Sequence, residues 1–418
     1  MSKSFVAFSP KQKTAMLWWH PARTDTCHYD AIVCDGAVRS GKTLSMGMGF
    51  VLWAMSHFHN QRFGLCGKTI GSLRRNVVAE VMPKLQGMGM DIVEKRSENK
   101  VIITFGSRKN EFFCFGGKDE SSADMIQGIT FAGILLDEVV LMPRSFVEQA
   151  CARCSVTGSK LWFNCNPASS GHWFYEQWIA GAKDRNCLHL HFTMEDNPSL
   201  APAIRQRYER LYTGVFYKRF VLGEWVAAEG RVYDFYDPSV APSVPEGEFS
   251  QWYISCDYGT VNPASFGLWG KMDGVWYRVS EFYFDSRREG RQMTDGEYAV
   301  ALERLAQGRH ISAVIVDPSA ASFMEVLRRA DFRVLRADNR VLEGIRMTSQ
   351  ALKEGQIVIC DTCTDCLREM GQYVWDGKSG HDGVVKEFDH AMDDMRYFVT
   401  TALMERPKWT AKTVERRS

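Results

Sequence analysis

A glycine-rich segment near the N-terminus constrains the fold of this chain more than any other feature. Residues 36–43 read GAVRSGKT and fit the pattern G-x-x-x-x-G-K-[ST] at every fixed position. Residues 31–34 before it are apolar and predict a buried strand, and residues 44–55 after it predict a helix. A strand, a glycine loop and a helix in this order bind phosphate, because backbone N–H groups and the helix N-terminus attract anions. The segment therefore predicts a nucleotide-binding α/β domain, and its flanks argue against a chance glycine-rich turn.

The side chains of this loop have separate expected roles toward ATP. The Lys42 ammonium is expected to reach the β- and γ-phosphates, and the Thr43 hydroxyl is expected to hold Mg²⁺. The further cofactor-binding candidates of the loop are Gly36, Arg39, Ser40 and Gly41. The loop thus predicts ATP and Mg²⁺ as ligands.

A second apolar run ends in two carboxylates. Residues 131–136 predict a buried parallel strand, and Asp137 and Glu138 follow it directly. Ligands of parallel sheets gather at the carboxyl ends of the strands. We expect Asp137 to belong to the Mg²⁺ shell and Glu138 to orient or deprotonate the attacking water. Alone, the pair would be better explained as a strand end capped by solvated acids, but the upstream loop reverses this order and favours the ATPase interpretation.

Composition restricts the classes of protein that fit. The 418 residues are 45% hydrophobic with a net charge of +1, which suits a soluble protein of two or three domains. No apolar run approaches the roughly 18–20 residues of a membrane span, and residues 1–10 lack the apolar core of a signal peptide. We therefore expect no membrane association and a cytoplasmic location, where the twelve cysteines stay reduced. Cys360, Cys363 and Cys366 could supply three zinc ligands, but no fourth has familiar spacing, which favours buried thiols.

Two patterns of elements divide the chain. Up to about residue 230, strand-like and helical patterns alternate, which predicts a mostly parallel sheet covered by helices. The proline-rich stretch 237–247 predicts a domain boundary. After it, three strand patterns with an Asp-Gly hairpin signal predict an antiparallel meander, followed by alternating helices and strands. We predict an α/β protein with domains over residues 1–236 and 251–405, a linker over 237–250 and a basic tail over 406–418.

Three carboxylates in the second half occupy related positions. Asp257 and Asp317 each follow a predicted strand, and Asp393 lies in the last predicted helix. Such acids are typical of a ribonuclease-H-like fold, in which two Mg²⁺ or Mn²⁺ ions clamp the oxygens of a phosphodiester. His390, one helical turn before Asp393, is a candidate to shuttle a proton or orient water. Without the first domain, strand-end turns would explain these acids better, so this site depends on its context.

The order of these motifs resembles the large terminase subunit of tailed bacteriophages and prophages over nearly the whole chain. Residues 36–43 are similar to its Walker A loop, and residues 135–138 to its Walker B strand with the catalytic glutamate. Residues 389–397 resemble its last nuclease motif, which places the metal-binding aspartate three residues after the histidine and so selects Asp393 over Asp394. Further segments that resemble family landmarks are 8–12, 163–167, 172–173, 196–198, 222–225, 257–259 and 317–319.

The resemblance implies further site residues. Gln12 is expected to contact adenine, and Asn166 to belong to the coupling segment, in which Asn164 is the alternative sensor of the γ-phosphate. Arg39 is the arginine of the Walker A loop, placed three residues before Lys42 where many members place it four before. Asp257, Asp317 and Asp393 are expected to ligate the nuclease metal ions. DNA-contact candidates are Lys68, Arg74, Arg75, Lys378, Lys386 and Arg396.

The resemblance implies a viral DNA-packaging motor with a P-loop ATPase domain and a ribonuclease-H-like nuclease domain. ATP hydrolysis would drive double-stranded DNA into the procapsid, and the nuclease would cut concatemeric DNA. The implied partners are DNA, the small terminase subunit and the portal protein, with a ring of subunits acting in the bacterial cytoplasm and transiently at the portal. Two alternatives remain: a helicase-like ATPase whose second domain binds DNA without cutting, and an assembly protein with a decayed site, against which Lys42, Asp137 and Glu138 argue.

Overall fold

The computed structural model describes residues 8–260, 262–377 and 382–403. Its contacts divide the chain into two compact units, one of Met1–Ala228 with Lys378–Asp382 and one of Glu229–Gly377 with Gly383–Ser418. The predicted tail over 406–418 lies outside the described residues, and so does Lys378. The proline-rich stretch is hydrogen-bonded to the second unit, through Asp361 N to Pro242 O at 2.9 Å, for example. The domain limits predicted from the sequence stay a prediction.

A sheet that is parallel except at one edge forms the centre of the first unit. Among the described residues it has eight strands, which are, in spatial order, β3 (Asp91–Lys95), β4 (Lys100–Phe105), β5 (Arg108–Gly116), β2 (Arg62–Gly67), β6 (Gly133–Asp137), β7 (Lys160–Asn164), β1 (Ala31–Gly36) and β8 (Cys187–Phe192). Strand β4 pairs antiparallel with both β3 and β5, and the remaining pairs, from β5 to β8 in the spatial order, are parallel. The predicted mostly parallel sheet is confirmed. Strands β1 and β6 are buried throughout, which explains their unbroken apolar sequences.

Helices cover both faces of this sheet. They are α1 (Pro10–Leu17), α2 (Lys42–His57), α3 (Ile70–Leu73), α4 (Ala79–Gly87), α5 (Arg144–Ala152), α6 (Pro202–Leu211) and α7 (Gly214–Tyr217). The π-helical turn Arg74–Val78 joins α3 to α4. Helix α2 packs on one face through Phe50 and Trp53, which contact Trp162 of β7 edge-on or tilted. This packing fixes the N-terminus of α2 beside the carboxyl ends of β1 and β6.

The second unit contains a mixed sheet. Its strands in the described residues are, in spatial order, β13 (Val334–Arg336), β12 (Ala313–Val316), β9 (Gln251–Asp257), β10 (Ala264–Met272), β11 (Val275–Phe284) and β14 (Ile357–Ile359). Strands β9 to β11 form an antiparallel meander, and β12 pairs parallel with β9 on its other side. The predicted hairpin turn is present, with Asp273 and Gly274 at φ 50° and 85°. This strand order confirms the predicted ribonuclease-H-like fold.

The helices of the second unit are α8 (Ser286–Glu289), α9 (Asp295–Ala306), α10 (Ala321–Arg329), α11 (Val341–Lys353), α12 (Thr364–Gln372) and α13 (His390–Phe398). Helix α13 packs on β9 and β10 and continues into the π-helical turn Val399–Leu403. The cysteines of the 360–366 segment are buried, and burial raises the pKa of the Cys363 thiol to about 12. In the described part of the chain, no helix combines the length and apolarity needed to cross a bilayer.

Candidate functional sites

Two glycines allow the loop after β1 to turn tightly. Gly36 and Gly41 have φ values of 119° and 85°, in the left-handed region that side chains disfavour. A Cβ atom on Gly36 would lie 1.9 Å from the Phe192 carbonyl oxygen, and one on Gly41 would lie 2.2 Å from Gln12 Nε2. Both positions therefore require glycine, as the sequence pattern predicts.

The Lys42 side chain lies folded into this loop. Its ammonium donates to the carbonyl oxygens of Gly36 and Ala37 at 2.9 and 2.7 Å and to Asn166 Oδ1 at 3.1 Å. Burial lowers the pKa of Lys42 to about 8. The structure thus brings Asn166, which follows β7, to the cation of the loop. A phosphate that entered the loop would be a stronger partner for this cation than the neutral oxygens.

Thr43 and Asp137 meet across the sheet edge. The Thr43 hydroxyl lies 3.5 Å from Asp137 Oδ1, and Asn164 Nδ2 donates to Thr43 Oγ1 at 2.8 Å and also to Asp137. Burial raises the pKa of Asp137. Asn164 Oδ1 is buried without a hydrogen-bond partner in the described residues. A hydroxyl, a carboxylate and a free amide oxygen form a donor set that fits Mg²⁺.

Glu138 follows Asp137 in a strained conformation. Its φ of 60° and ψ of 43° lie in the left-handed region, which is uncommon for a residue with a side chain. Burial, and after it the charge of Asp137, raises the pKa of the Glu138 carboxyl. A raised pKa suits a carboxylate that accepts a proton from water.

Gln12 and Arg39 contact the loop from outside. The Gln12 amide is buried, accepts from Ser9 N at 3.0 Å and donates to the Ser40 carbonyl oxygen at 3.3 Å. Arg39 is exposed, and its guanidinium donates to the Tyr208 hydroxyl of α6 at 2.8 Å. The structure therefore places Gln12 against the loop and holds Arg39 at α6.

The acids of the second unit lie at two neighbouring strand ends and on helix α13. Cys256 of β9 pairs with Val316 of β12, so Asp257 and Asp317 follow neighbouring positions of parallel strands. His390 Nδ1 of α13 lies 2.8 Å from Asp257 Oδ2, and the Tyr397 hydroxyl donates to Asp317 Oδ2 at 2.9 Å. Burial, followed by the charges of Asp257, Asp393 and Asp317, raises the pKa of Tyr397. The hydroxyl thus contacts Asp317, and the charges of Asp257 and Asp393 also act on it.

The electrostatics of this site favour a cation. Burial raises the pKa of Asp257 to about 7. The hydrogen bond with His390 lowers this pKa, and the nearby charge of Asp393 raises it. Among the described residues, no three His, Cys, Asp or Glu side chains converge closely enough to form a metal cage. Asp393 instead accepts from Arg396 Nη2 at 2.6 Å. Carboxylates are ligands that suit Mg²⁺ or Mn²⁺, and a cation would offset the unfavourable burial of the Asp257 carboxylate. To bind such ions jointly, the three acids would have to move closer to one another.

Three comparisons with known proteins agree on the family. A family model described as terminase large subunit, T4likevirus-type, N-terminal, matches residues 33–237. The large terminase of Escherichia phage T5 is 21% identical in an alignment of 298 residues that covers 66% of this chain and 67% of that protein. A solved large terminase from a thermophilic bacteriophage is 48% identical, with a TM-score of 0.90 over 95% of this chain and 100% of that chain. This chain belongs to the large terminase family. The predicted family is confirmed.

A second structure of the thermophilic phage's large terminase was solved with ATP-γ-S bound. It is 47% identical to this terminase, with a TM-score of 0.86 over 95% of this chain and 100% of that chain. A third, with ADP bound, has the same TM-score at 48% identity.

Sequence reasoning did not single out Asp35, which precedes the Walker A loop of this terminase. The carboxylate lies 2.7 Å from His189 Nε2 and accepts from Trp225 Nε1 at 2.6 Å, and it also contacts His191. Although burial acts in the opposite direction, the hydrogen bonds with His189 and His191 lower the pKa of Asp35. The available signal was a charged residue at the end of the apolar run of β1.

Glu369 is a second residue that the sequence did not indicate. It lies fully buried on α12 and accepts from the Ala391 backbone N–H at 2.6 Å and from the Tyr283 hydroxyl at 2.5 Å. In the described residues, Asp389 at the N-cap of α13 provides no side-chain cap. Glu369 therefore caps the helix that carries His390, from a different helix of the terminase.

Asp394 and Arg396 lie inside the second unit. Asp394 is fully buried, accepts from Ser255 Oγ at 2.9 Å and forms an ion pair with the buried Arg278. This places Asp394 in the core and supports the choice of Asp393 for the site. Arg396 is 1% exposed and bound to Asp393, so it is not available for the DNA contact that its charge predicted.

Proposed function

We propose that this large terminase hydrolyses ATP in its first unit to drive double-stranded DNA into a procapsid, and cuts concatemeric DNA in its second unit with a two-metal nuclease. The observation that carries the proposal is the presence of two separate candidate sites in one chain, a phosphate-binding loop and a set of carboxylates. One holds Lys42, Thr43 and Asp137. The other holds Asp317 against Tyr397 and Asp257 against His390, with Asp393 on the same helix as Tyr397 and His390.

In the ATPase site, the residues divide the work of binding and hydrolysis. Lys42 would transfer its hydrogen bonds from the loop carbonyls to the β- and γ-phosphates of ATP. Thr43 and Asp137 would hold Mg²⁺, and Asn164 or Asn166 would sense the γ-phosphate, since each contacts a residue of the Walker A loop. Glu138 would accept a proton from the attacking water. Binding of ADP and ATP-γ-S by the thermophilic phage's large terminase supports this assignment.

Gln12 and Arg39 occupy the periphery of the same site. Gln12 touches the loop at Ser40, so its amide can turn to the adenine ring when nucleotide binds, if it releases the Ser40 carbonyl. Arg39 is hydrogen-bonded to Tyr208 on the exposed side of the loop, so its position would change with that of α6. We propose Gln12 as the adenine contact.

In the nuclease site, Asp257, Asp317 and Asp393 would hold the metal ions. The ions would supply positive charge to the attacking and leaving oxygens of the phosphodiester. His390 orients Asp257 through its Nδ1 atom; although burial opposes it, the hydrogen bond with Asp257 raises the pKa of His390. The imidazole would thus keep Asp257 ionised for its ligand role. Tyr397 would orient Asp317 in the same way.

The partners follow from membership of the family. We propose that the terminase contacts the small terminase subunit and the portal of the procapsid, forms a ring there, and works in the cytoplasm of the bacterial host. The alternative is a helicase-like ATPase whose second unit binds DNA without cutting. It differs in one outcome, the absence of metal-dependent cleavage.

The test is an incubation of purified protein with plasmid DNA and Mn²⁺, with and without ATP. Glu138→Gln should lower ATP hydrolysis by about two decades or more and leave DNA cleavage intact, because it removes the proton acceptor alone. Asp257→Asn should abolish cleavage and leave ATP hydrolysis intact. Parental ATP hydrolysis by Glu138→Gln would contradict the ATPase assignment. Parental cleavage by Asp257→Asn would favour the helicase-like alternative.

A further inference from the structure

The candidate nuclease site opens into a pocket that is larger than two metal ions require. Its volume is about 730 Å³, and Asp257, His390 and Asp393 form part of its lining. Basic residues also line it, namely Arg287, Arg288, Arg368 and Lys386. The pocket therefore contains carboxylates that can bind metal cations and basic side chains that can bind an anion.

Arg287 and Arg288 differ from the other two basic residues, because in the part of the chain that the structure describes neither has a carboxylate as the partner of its guanidinium group. Arg368 donates to Asp365 at 2.9 Å, and Lys386 lies 3.3 Å from Asp389. Arg287 is exposed and donates to the neutral amide of Asn262 at 3.3 Å. The exposed guanidinium of Arg288 has neither a hydrogen bond nor an ion pair within the described residues. Two adjacent like charges without a carboxylate partner repel each other, so an external anion would stabilise them.

The fold holds these arginines at a defined place. The Asp285 carboxylate accepts from the backbone N–H groups of Arg287 and Arg288 at 3.0 and 3.4 Å, which orients the single turn of α8. Asp285 thus serves the backbone and not the guanidinium groups. Gly290 ends the turn at a φ of 66°. The side chains therefore project from a short, capped element and not from an unstructured loop.

The sheet register sets the distance to the acids. Asp257 of β9 pairs with Ser265 of β10, which pairs with Tyr283 of β11 in the same row. Two strand spacings give about 10 Å between the backbones of Asp257 and Tyr283. Successive phosphates of one strand of duplex DNA are separated by about 3.4 Å along the helix axis and by more along the strand, so a phosphate next to the cut phosphodiester can lie within this distance of the acids. A strand with one phosphodiester at the acids would bring neighbouring phosphates to α8.

We propose that Arg287 and Arg288 bind backbone phosphates of the DNA strand beside the phosphodiester that is cut. The proposal rests on the proposed nuclease function and assigns it a substrate-positioning surface. Phosphate contacts of this kind fix the register of DNA without reading its sequence. The surface therefore fits cleavage at many sequences.

The experiment compares two double variants of the full-length protein. Arg287→Ala/Arg288→Ala removes the proposed contacts. Arg328→Ala/Arg329→Ala is the matched control, because it removes two adjacent, exposed arginines of α10 that pair with Glu325 and do not line the pocket. Plasmid cleavage with Mn²⁺ is measured at several KCl concentrations, together with ATP hydrolysis and thermal unfolding to verify folding. A fluorescently labelled DNA duplex in EDTA gives the binding affinity without cleavage.

For the first double variant we expect a higher KM and a kcat within about threefold of the parent. The slope of log affinity against log salt should become shallower by about 1.8, because each lost phosphate contact removes about 0.9. The loss of affinity should therefore be about tenfold larger at 50 mM than at 200 mM KCl. The control should keep the parental slope.

Equal slopes in the parent and the first double variant would overturn the proposal, as would an equal change in both double variants, which would show a general charge effect. If the parent itself fails to cleave DNA, the proposed nuclease function fails, and the slopes in EDTA still decide whether the two arginines bind phosphate.

Discussion

The substitutions Asp394→Asn and Asp393→Asn test different roles for two adjacent acids of α13. We expect Asp394 to stabilise the fold and Asp393 to serve the proposed nuclease site. Asp394 and Arg278 are both 0% exposed at their side chains, and Arg278 also lies 3.2 Å from Glu281. Asparagine keeps one acceptor oxygen, for either Ser255 or Ser265, replaces the other by an NH₂ donor and removes the negative charge. The Arg278 guanidinium would then stay buried with a weaker counter-charge.

The magnitude follows from this burial. Breaking a buried ion pair on one side destabilises a protein by about 3–5 kcal/mol. For a unit of this size, each kcal/mol lowers Tm by roughly 2–4 °C, so the second unit should melt roughly 6–20 °C lower. Asp393→Asn should lower Tm by less, because the Asp393 side chain is 13% exposed and not fully buried, so that water can compensate part of the lost charge beside Arg396. It should nevertheless abolish cleavage, since a proposed metal ligand is lost.

Differential scanning calorimetry of the parent and both variants measures these shifts, with ATP hydrolysis as the readout of the first unit. Asp394→Asn should retain ATP hydrolysis at 25 °C while the transition of the second unit moves down. If Asp393→Asn melts at the lower temperature and Asp394→Asn melts like the parent, the assignment of the two aspartates is reversed.

Three further outcomes are expected. Glu369→Ala should leave the Ala391 N–H without an acceptor, which should speed amide exchange at the start of α13 and raise the Mn²⁺ concentration that half-saturates cleavage. Glu369→Gln should restore the parental exchange rate and Mn²⁺ requirement. Exchange at the parental rate in Glu369→Ala would contradict the cap. A metal ion must displace the proton of Asp257, whose pKa is about 7. Mn²⁺ affinity, measured by calorimetry, should therefore rise from pH 6 to pH 7 and level off above pH 8. An affinity that does not change with pH would count against Asp257 as a ligand. Limited proteolysis should cut within residues 237–247, which are largely exposed, and give an ATP-binding and a DNA-cutting fragment; a chain that resists cleavage there would argue against separable domains.

The sequence predicted those parts of the sites that depend on local order. The Walker A loop, Asp137 and the acids after β9 and β12 lie at strand ends, and a strand end is visible as the end of an apolar run. The parallel and mixed sheets followed from the order of these runs, and the turn at Asp273 followed from its residue types.

The remaining parts depend on contacts between distant segments. Glu369 is 22 positions from the amide that it caps, and Arg278 is 116 positions from Asp394. Periodicity carries no information about such pairs, because each residue alone has the pattern of a surface charge. The same reasoning failed at Arg396, which has the sequence signature of a DNA contact and the burial of a core residue. Helix α12 follows a cysteine-rich turn and, within the described residues, begins without a side-chain N-cap, so no local signal marks its start.

The backbone of Glu138 has a consequence for protein engineering. A left-handed conformation costs a residue with a Cβ atom about 1–2 kcal/mol, and glycine would avoid this penalty. If Glu138 is the proton acceptor, as we propose, stability and catalysis select different residues at this position. A redesign guided only by backbone strain would then choose glycine and give a protein that binds ATP without hydrolysing it. Thermostability would have to be sought at positions away from this strand end.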